Sequence, residues 1–191
     1  GGNNTMVGAY AGALNIDDSN NTAIGYAANY PDGGSNNTAV GSVALNANTA
    51  SNNTAVGYAA GQVITTGAEN TLIGNQAGDS ITTGPGNVCV GSVAGQAITT
   101  GTYNQCIGQA AGYAITTGSN NVTIGPSSAV ALTTGSSNVA IGINALNTQT
   151  TPEKSRSLLA AFFFISAAFA LVSYFLSDFL TWDSLGYLLV S

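Results

Sequence analysis

Apolar and polar positions along most of the chain repeat one phrase, Asn-x-x-(Val/Ile)-Gly-x-x-Ala, nine times over. Aligned on its glycine, the phrase falls at Gly8, Gly25, Gly41, Gly57, Gly74, Gly91, Gly108, Gly125 and Gly142, with spacings of 16 or 17 residues. A polar Asn stands four residues before each glycine, a β-branched Val or Ile immediately before it, and Ala three residues after it, except at Ser128. The later copies add a second phrase, Ile-Thr-Thr-Gly, beginning at Ile64, Ile81, Ile98 and Ile115, with Leu-Thr-Thr-Gly at Leu132. A period near 17 is too short for a pair of helices and suits one turn of a β-solenoid. The pattern therefore predicts an all-β parallel solenoid over residues 1–148, about nine rungs of two short strands and two turns each. At ~4.8 Å per rung it would be a rod of ~43 Å.

Each recurring position then has an expected task. Asn53, Asn70, Asn87, Asn104 and Asn121 stack as an amide ladder. Val56, Ile73, Val90, Ile107 and Ile124 fill the interior, together with the Ile of the second phrase. Gly57, Gly74, Gly91, Gly108 and Gly125 supply positive φ or close backbone approach at the turn. Ala fits where a larger side chain would force the two walls apart. Early rungs replace the second phrase with "NIDDS", "YPDGGS" and "ANTAS", whose turn chemistry keeps the same outline.

The residues two before each glycine (Met6, Ala23, Ala39, Ala55, Leu72, Cys89, Cys106, Thr123, Ala140) are mostly small and apolar too. Strand alternation places them opposite the Val/Ile column. A strand apolar on both faces is buried on both, and a roll this thin buries little by itself. A symmetric homo-oligomer packed along the rod supplies the missing cover.

Composition narrows the function classes. Only 5% of the 191 residues are charged, and there is no His. Before Lys154 the chain has no Lys or Arg, so neutralisation of phosphates, and with it nucleic-acid binding, is set aside. The five acids of residues 1–150 (Asp17, Asp18, Asp32, Glu69, Asp79) do not recur with the period. They suggest neither general acid–base chemistry nor a calcium roll, so the reading is non-enzymatic, without cofactor or metal. The chain opens inside a repeat with Gly-Gly, which reads as a processed or incomplete N-terminus.

The phrases "NNTAVGYAAG" and "NVAIGINAL" resemble the head repeats of YadA-like trimeric autotransporter adhesins. "NTLIGNQAGDSITTG" is similar to repeats in tail-fibre and other structural proteins of phages and large viruses. The resemblance covers about residues 3–148. It implies a left-handed trimeric β-roll serving as a rigid spike, fibre or adhesin on a virion or cell surface, with itself and a surface receptor or glycan as partners. Two features depart from it: the rung is longer than in the bacterial heads, and neither a coiled-coil stalk with its barrel anchor nor a fibre chaperone domain follows.

After a linker at 149–157 the character changes. Leu158 to Leu176, "LLAAFFFISAAFALVSYFL", contains no charge and as a helix would be about 28 Å long, enough to cross a bilayer core. Leu158, Phe162, Phe163, Phe164, Ile165, Phe169, Leu171, Val172 and Phe175 would face lipid, with Trp182 at the headgroup level. The alternative for 158–191 is a cap over the open end of the solenoid or a trimeric helical bundle. Lys154 and Arg156 before the span, with Asp178 and Asp183 after it, would place the repeats on the cytoplasmic side. That orientation opposes the adhesin reading.

The remaining candidates have plainer accounts. Cys89 and Cys106 share a column, close enough for a disulfide, but side chains in a parallel ladder point alike, which favours two buried free thiols. Sequons at Asn3, Asn20, Asn36, Asn52 and Asn121 follow automatically from the repeat. Thr pairs from Thr65-Thr66 to Thr133-Thr134 read as turn formers, with one column at most available to an ice surface. The variable positions Tyr10, Tyr26, Tyr58, Gln76, Gln96, Gln109 and Tyr113 offer exposed aromatics and amides without a pattern.

Overall fold

A computed structural model describes residues 2–14, 17–30 and 34–147. The chain divides into two compact units, Gly1–Pro152 and Glu153–Ser191, and the described residues all belong to the first. The linker at 149–157 and the hydrophobic segment expected from Leu158 lie outside the described residues.

Within the first unit, the nine phrases form nine three-residue strands. They are β1 (Thr5–Val7), β2 (Thr22–Ile24), β3 (Thr38–Val40), β4 (Thr54–Val56), β5 (Thr71–Ile73), β6 (Val88–Val90), β7 (Gln105–Ile107), β8 (Val122–Ile124) and β9 (Val139–Ile141). They pair in sequence order, all parallel, as one sheet. The register never slips: Leu72 stands opposite Cys89, and Cys89 opposite Cys106. The protein is a parallel β-solenoid with about 17 residues per turn, and its nine strands enclose eight full turns.

Among the described residues each rung has one strand, not the two expected. The Ile-Thr-Thr-Gly half stacks without strand geometry. Its ladder is nonetheless regular, Thr65 N–H donating to the Thr82 carbonyl, Thr82 to Thr99 and Thr99 to Thr116, each at 2.9 Å. Left-handed residues recur at fixed places around the rung. In one turn Glu69, Gly74, Gln76 and Gly78 have φ of 64°, 138°, 53° and 57°. At the phrase glycine two constraints coincide. Gly91 lies at φ 133°, and a Cβ there would stand 2.5 Å from the carbonyl oxygen of Gly108, one rung on.

The core is a narrow seam of stacked columns. The strand midpoints Ala23, Ala39, Ala55, Leu72, Cys89 and Cys106 are fully buried. They meet the Ala column (Ala28, Ala44, Ala60, Ala77, Ala94, Ala111) and Ile64, Ile81, Ile98, Ile115 and Leu132. Volume is conserved across rungs by exchange. Gly61 leaves room for Leu72 and Ile64, whose methyl carbons would lie 2.6 and 2.9 Å from a Cβ there. One rung earlier Leu45 occupies the glycine's place and Asn48 the isoleucine's, both fully buried.

The interior assignment of the strand is the reverse of the expected one. The Val/Ile column faces outward: Ile24, Ile73 and Ile107 are 37–40% exposed and Ile141 65%. The inward residue is the strand midpoint. The Asn column decides this, because a strand residue and the residue two before it share a face. Asn53, Asn87, Asn104 and Asn121 are fully buried, so the midpoints are buried with them and the β-branched residues turn out.

Candidate functional site

The buried Asn ladder is possible because its amides bond to one another and to the backbone, and at Asn104 the amide is saturated. Asn104 Nδ2 donates to Asn87 Oδ1 at 3.1 Å and to the carbonyl of Gly118 at 2.8 Å. Its Oδ1 accepts from the backbone N–H of Asn121 at 3.1 Å and from Asn121 Nδ2 at 2.9 Å. Two donors and two acceptor positions are the full capacity of a carboxamide. Asn70, Asn87 and Asn121 repeat the bond to the preceding Oδ1. An apolar residue in place of Asn104 would orphan two buried backbone groups, at about 1–3 kcal/mol each. Turning Val or Ile inward in place of Ala would recover about 0.8 kcal/mol per added methylene. The amide therefore takes the inside.

The consequence is a surface feature. The side chains of Val7, Ile24, Val40, Val56, Ile73, Val90, Ile107, Ile124 and Ile141 stand in one outward column along the whole rod, each exposed or half-buried. A second outward column runs beside it, half-buried at Thr22, Thr38, Thr54, Thr71, Val88 and Val122 and exposed at Thr5, Gln105 and Val139. This flank is in register, and neither column carries a charged residue. Apolar patches of such extent mark interaction surfaces.

The other sequence candidates resolve as follows. Cys89 and Cys106 are free and buried. A hydrogen bond to Cys106, reinforced by burial, holds the Cys89 thiol well above its ordinary range. The first Thr of each pair is committed to structure: Thr65, Thr82, Thr99 and Thr116 hydroxyls donate to carbonyls of the next rung at 3.0–3.2 Å. The second (Thr66, Thr83, Thr100, Thr117, Thr134) forms a single exposed column. Of the sequon asparagines, Asn3, Asn20, Asn36 and Asn52 are exposed, whereas Asn121 is locked in the ladder. Among the described residues no group of three or more His, Cys, Asp or Glu is placed to hold a metal ion, and no helix is long and apolar enough to cross a membrane.

One grouping escaped the sequence reading. Tyr10, Tyr26 and Tyr30, from the first two rungs, line a single open cleft of about 500 Å³ with Ala27, Val43 and Asn46. Tyr10 and Tyr26 are perpendicular with ring centres 5.8 Å apart, and Tyr10 and Tyr30 stand at 77° and 6.3 Å. The signal lay in counting from the phrase glycine. Tyr10 is two residues after its glycine, Tyr26 one after and Tyr30 five after, positions that the αL turns bring to one edge. Comparison with protein-family models, with curated proteins and with solved structures found no match.

Proposed function

We propose that this chain is a non-enzymatic structural fibre or spike segment of a virion or cell surface, in which rods associate lengthwise along the Val/Ile flank as a homotrimer. The observation that carries the reading is the unbroken outward column of β-branched residues, in register over nine rungs. A monomer would leave that column in water over its whole length. A lengthwise neighbour removes it from water without disturbing the ladders. The number three follows from the resemblance to trimeric adhesin heads and viral fibres. The sequence of 158–176 supports a membrane span or a bundle at one end of the assembly. The Tyr cleft favours a second reading, in which the rod also presents a ligand-binding head.

Light scattering on the full chain tests the assembly. The wild-type chain is expected to run as a trimer, and the double variant Ile73→Lys/Ile107→Lys as a monomer with its β circular dichroism retained. A wild-type monomer that is monodisperse would refute the reading. A trimer lost only on removing residues 158–191 would place the assembly energy in that segment instead.

A further inference from the structure

We infer that the Tyr10–Tyr26–Tyr30 cleft is a binding site for a methylated ammonium group of the choline type. The inference stands on the cleft alone and is independent of how the rods assemble. The cleft's volume lies within the range of small-molecule sites. Its walls include three tyrosine rings, 61%, 56% and 36% exposed, with Tyr10 nearly perpendicular to both Tyr26 and Tyr30. A cation seated in the cleft beside rings whose centres are 5.8 and 6.3 Å apart can come within the ~6 Å reach of a cation–π contact with more than one of them.

Chemistry selects among ligands. A sugar ring needs hydrogen-bond partners for its several hydroxyls besides an aromatic face, and among the described lining residues only the phenols and Asn46 offer them. An anion finds no donor charge, because the chain has no Lys or Arg before Lys154 and a net charge of −6. The same balance leaves a cation unopposed. A primary ammonium would keep its water unless acceptors replaced it. Among the described residues, the polar side groups lining the cleft are the phenol hydroxyls and Asn46, whose Nδ2 is bound to the Ala27 carbonyl at 3.1 Å. A trimethylammonium group is weakly hydrated, needs no hydrogen bond and presents its methyl groups to the rings.

The repeat itself supplies variants that the backbone accepts. Ala27 stands one rung on in the column of Tyr10, with φ of 50° against 60°, and Ser42 follows Tyr26 in its own column. Saturation-transfer NMR on the N-methyl protons of choline, with the full chain, is the measurement. Binding is expected with a dissociation constant on the order of 10 mM, since each exposed ring contributes weakly. Tyr10→Phe should retain it, and Tyr10→Ala/Tyr26→Ser should weaken it about tenfold while leaving circular dichroism unchanged. Phosphocholine binding as well as choline would assign a headgroup as the source, and choline alone a free cation. The uncharged isostere 3,3-dimethylbutan-1-ol should fail. Equal binding of that alcohol, no transfer to choline, or binding of neutral saccharides in place of choline would each overturn the inference.

Discussion

Replacing Asn104 by Ala removes one amide from the middle of the ladder. Two backbone groups then lose the partners described above: the Gly118 carbonyl, held at 2.8 Å, and the Asn121 N–H, held at 3.1 Å. Both meet the Asn104 side chain in the buried seam, where Asn104 and Asn121 are fully buried. At about 1–3 kcal/mol for each orphaned group, the expected loss is about 2–6 kcal/mol. The neighbouring amides also lose one bond each, Asn87 on its Oδ1 and Asn121 on its Nδ2. That loss is comparable with the whole stability of many domains. Urea unfolding followed by circular dichroism, at fixed protein concentration, gives the magnitude. Native-state hydrogen exchange at the Asn121 amide locates it, because rungs couple mainly to their neighbours. Asn3→Ala is the control, since its side-chain bond to Asn20 is exposed and 3.4 Å long. A loss below about 0.5 kcal/mol for Asn104→Ala, with Asn121 exchange unchanged, would refute the claim that the ladder's satisfaction places the amide inside.

Two other outcomes follow from the packing and from burial. Leu72→Ala should destabilise the fold by about 2–5 kcal/mol, because the fully buried side chain fills the space over Gly61 and Gly78, whereas Ile73→Ala should cost the fold less and weaken assembly more. Paired urea and light-scattering measurements separate the two, and equal fold losses would contradict the inward–outward assignment. Asp79 is partly buried and desolvation holds its carboxyl above the ordinary value, so the folded state keeps its proton at a pH where the unfolded chain has released it. The folded state then binds more protons, and stability falls as pH rises from the unfolded value through the raised folded one. Asp79→Asn should remove that decline, and an identical pH profile for variant and wild type would contradict it.

The period, the register and the turn positions were legible in the sequence because each rung obeys the same local geometry. A glycine that must adopt φ near 130° beneath the next rung's carbonyl cannot drift, so its spacing counts turns directly. Which side of the strand forms the core was not legible from hydrophobicity. Val and Ile are the more apolar choice over Ala and Cys, yet they stand outside. The decision belongs to hydrogen bonds that exist only once rungs are stacked: Asn104 reaches Gly118 and Asn121, 14 and 17 residues away. The midpoint residue follows Asn inward by strand alternation. The Tyr cleft was hidden for a related reason. Its rings occupy three different offsets from the phrase glycine, and only the left-handed turns bring those offsets to one edge. Local conformational limits fix the repeat in the sequence, while side-chain facing depends on partners a full turn away, which only the assembled fold supplies.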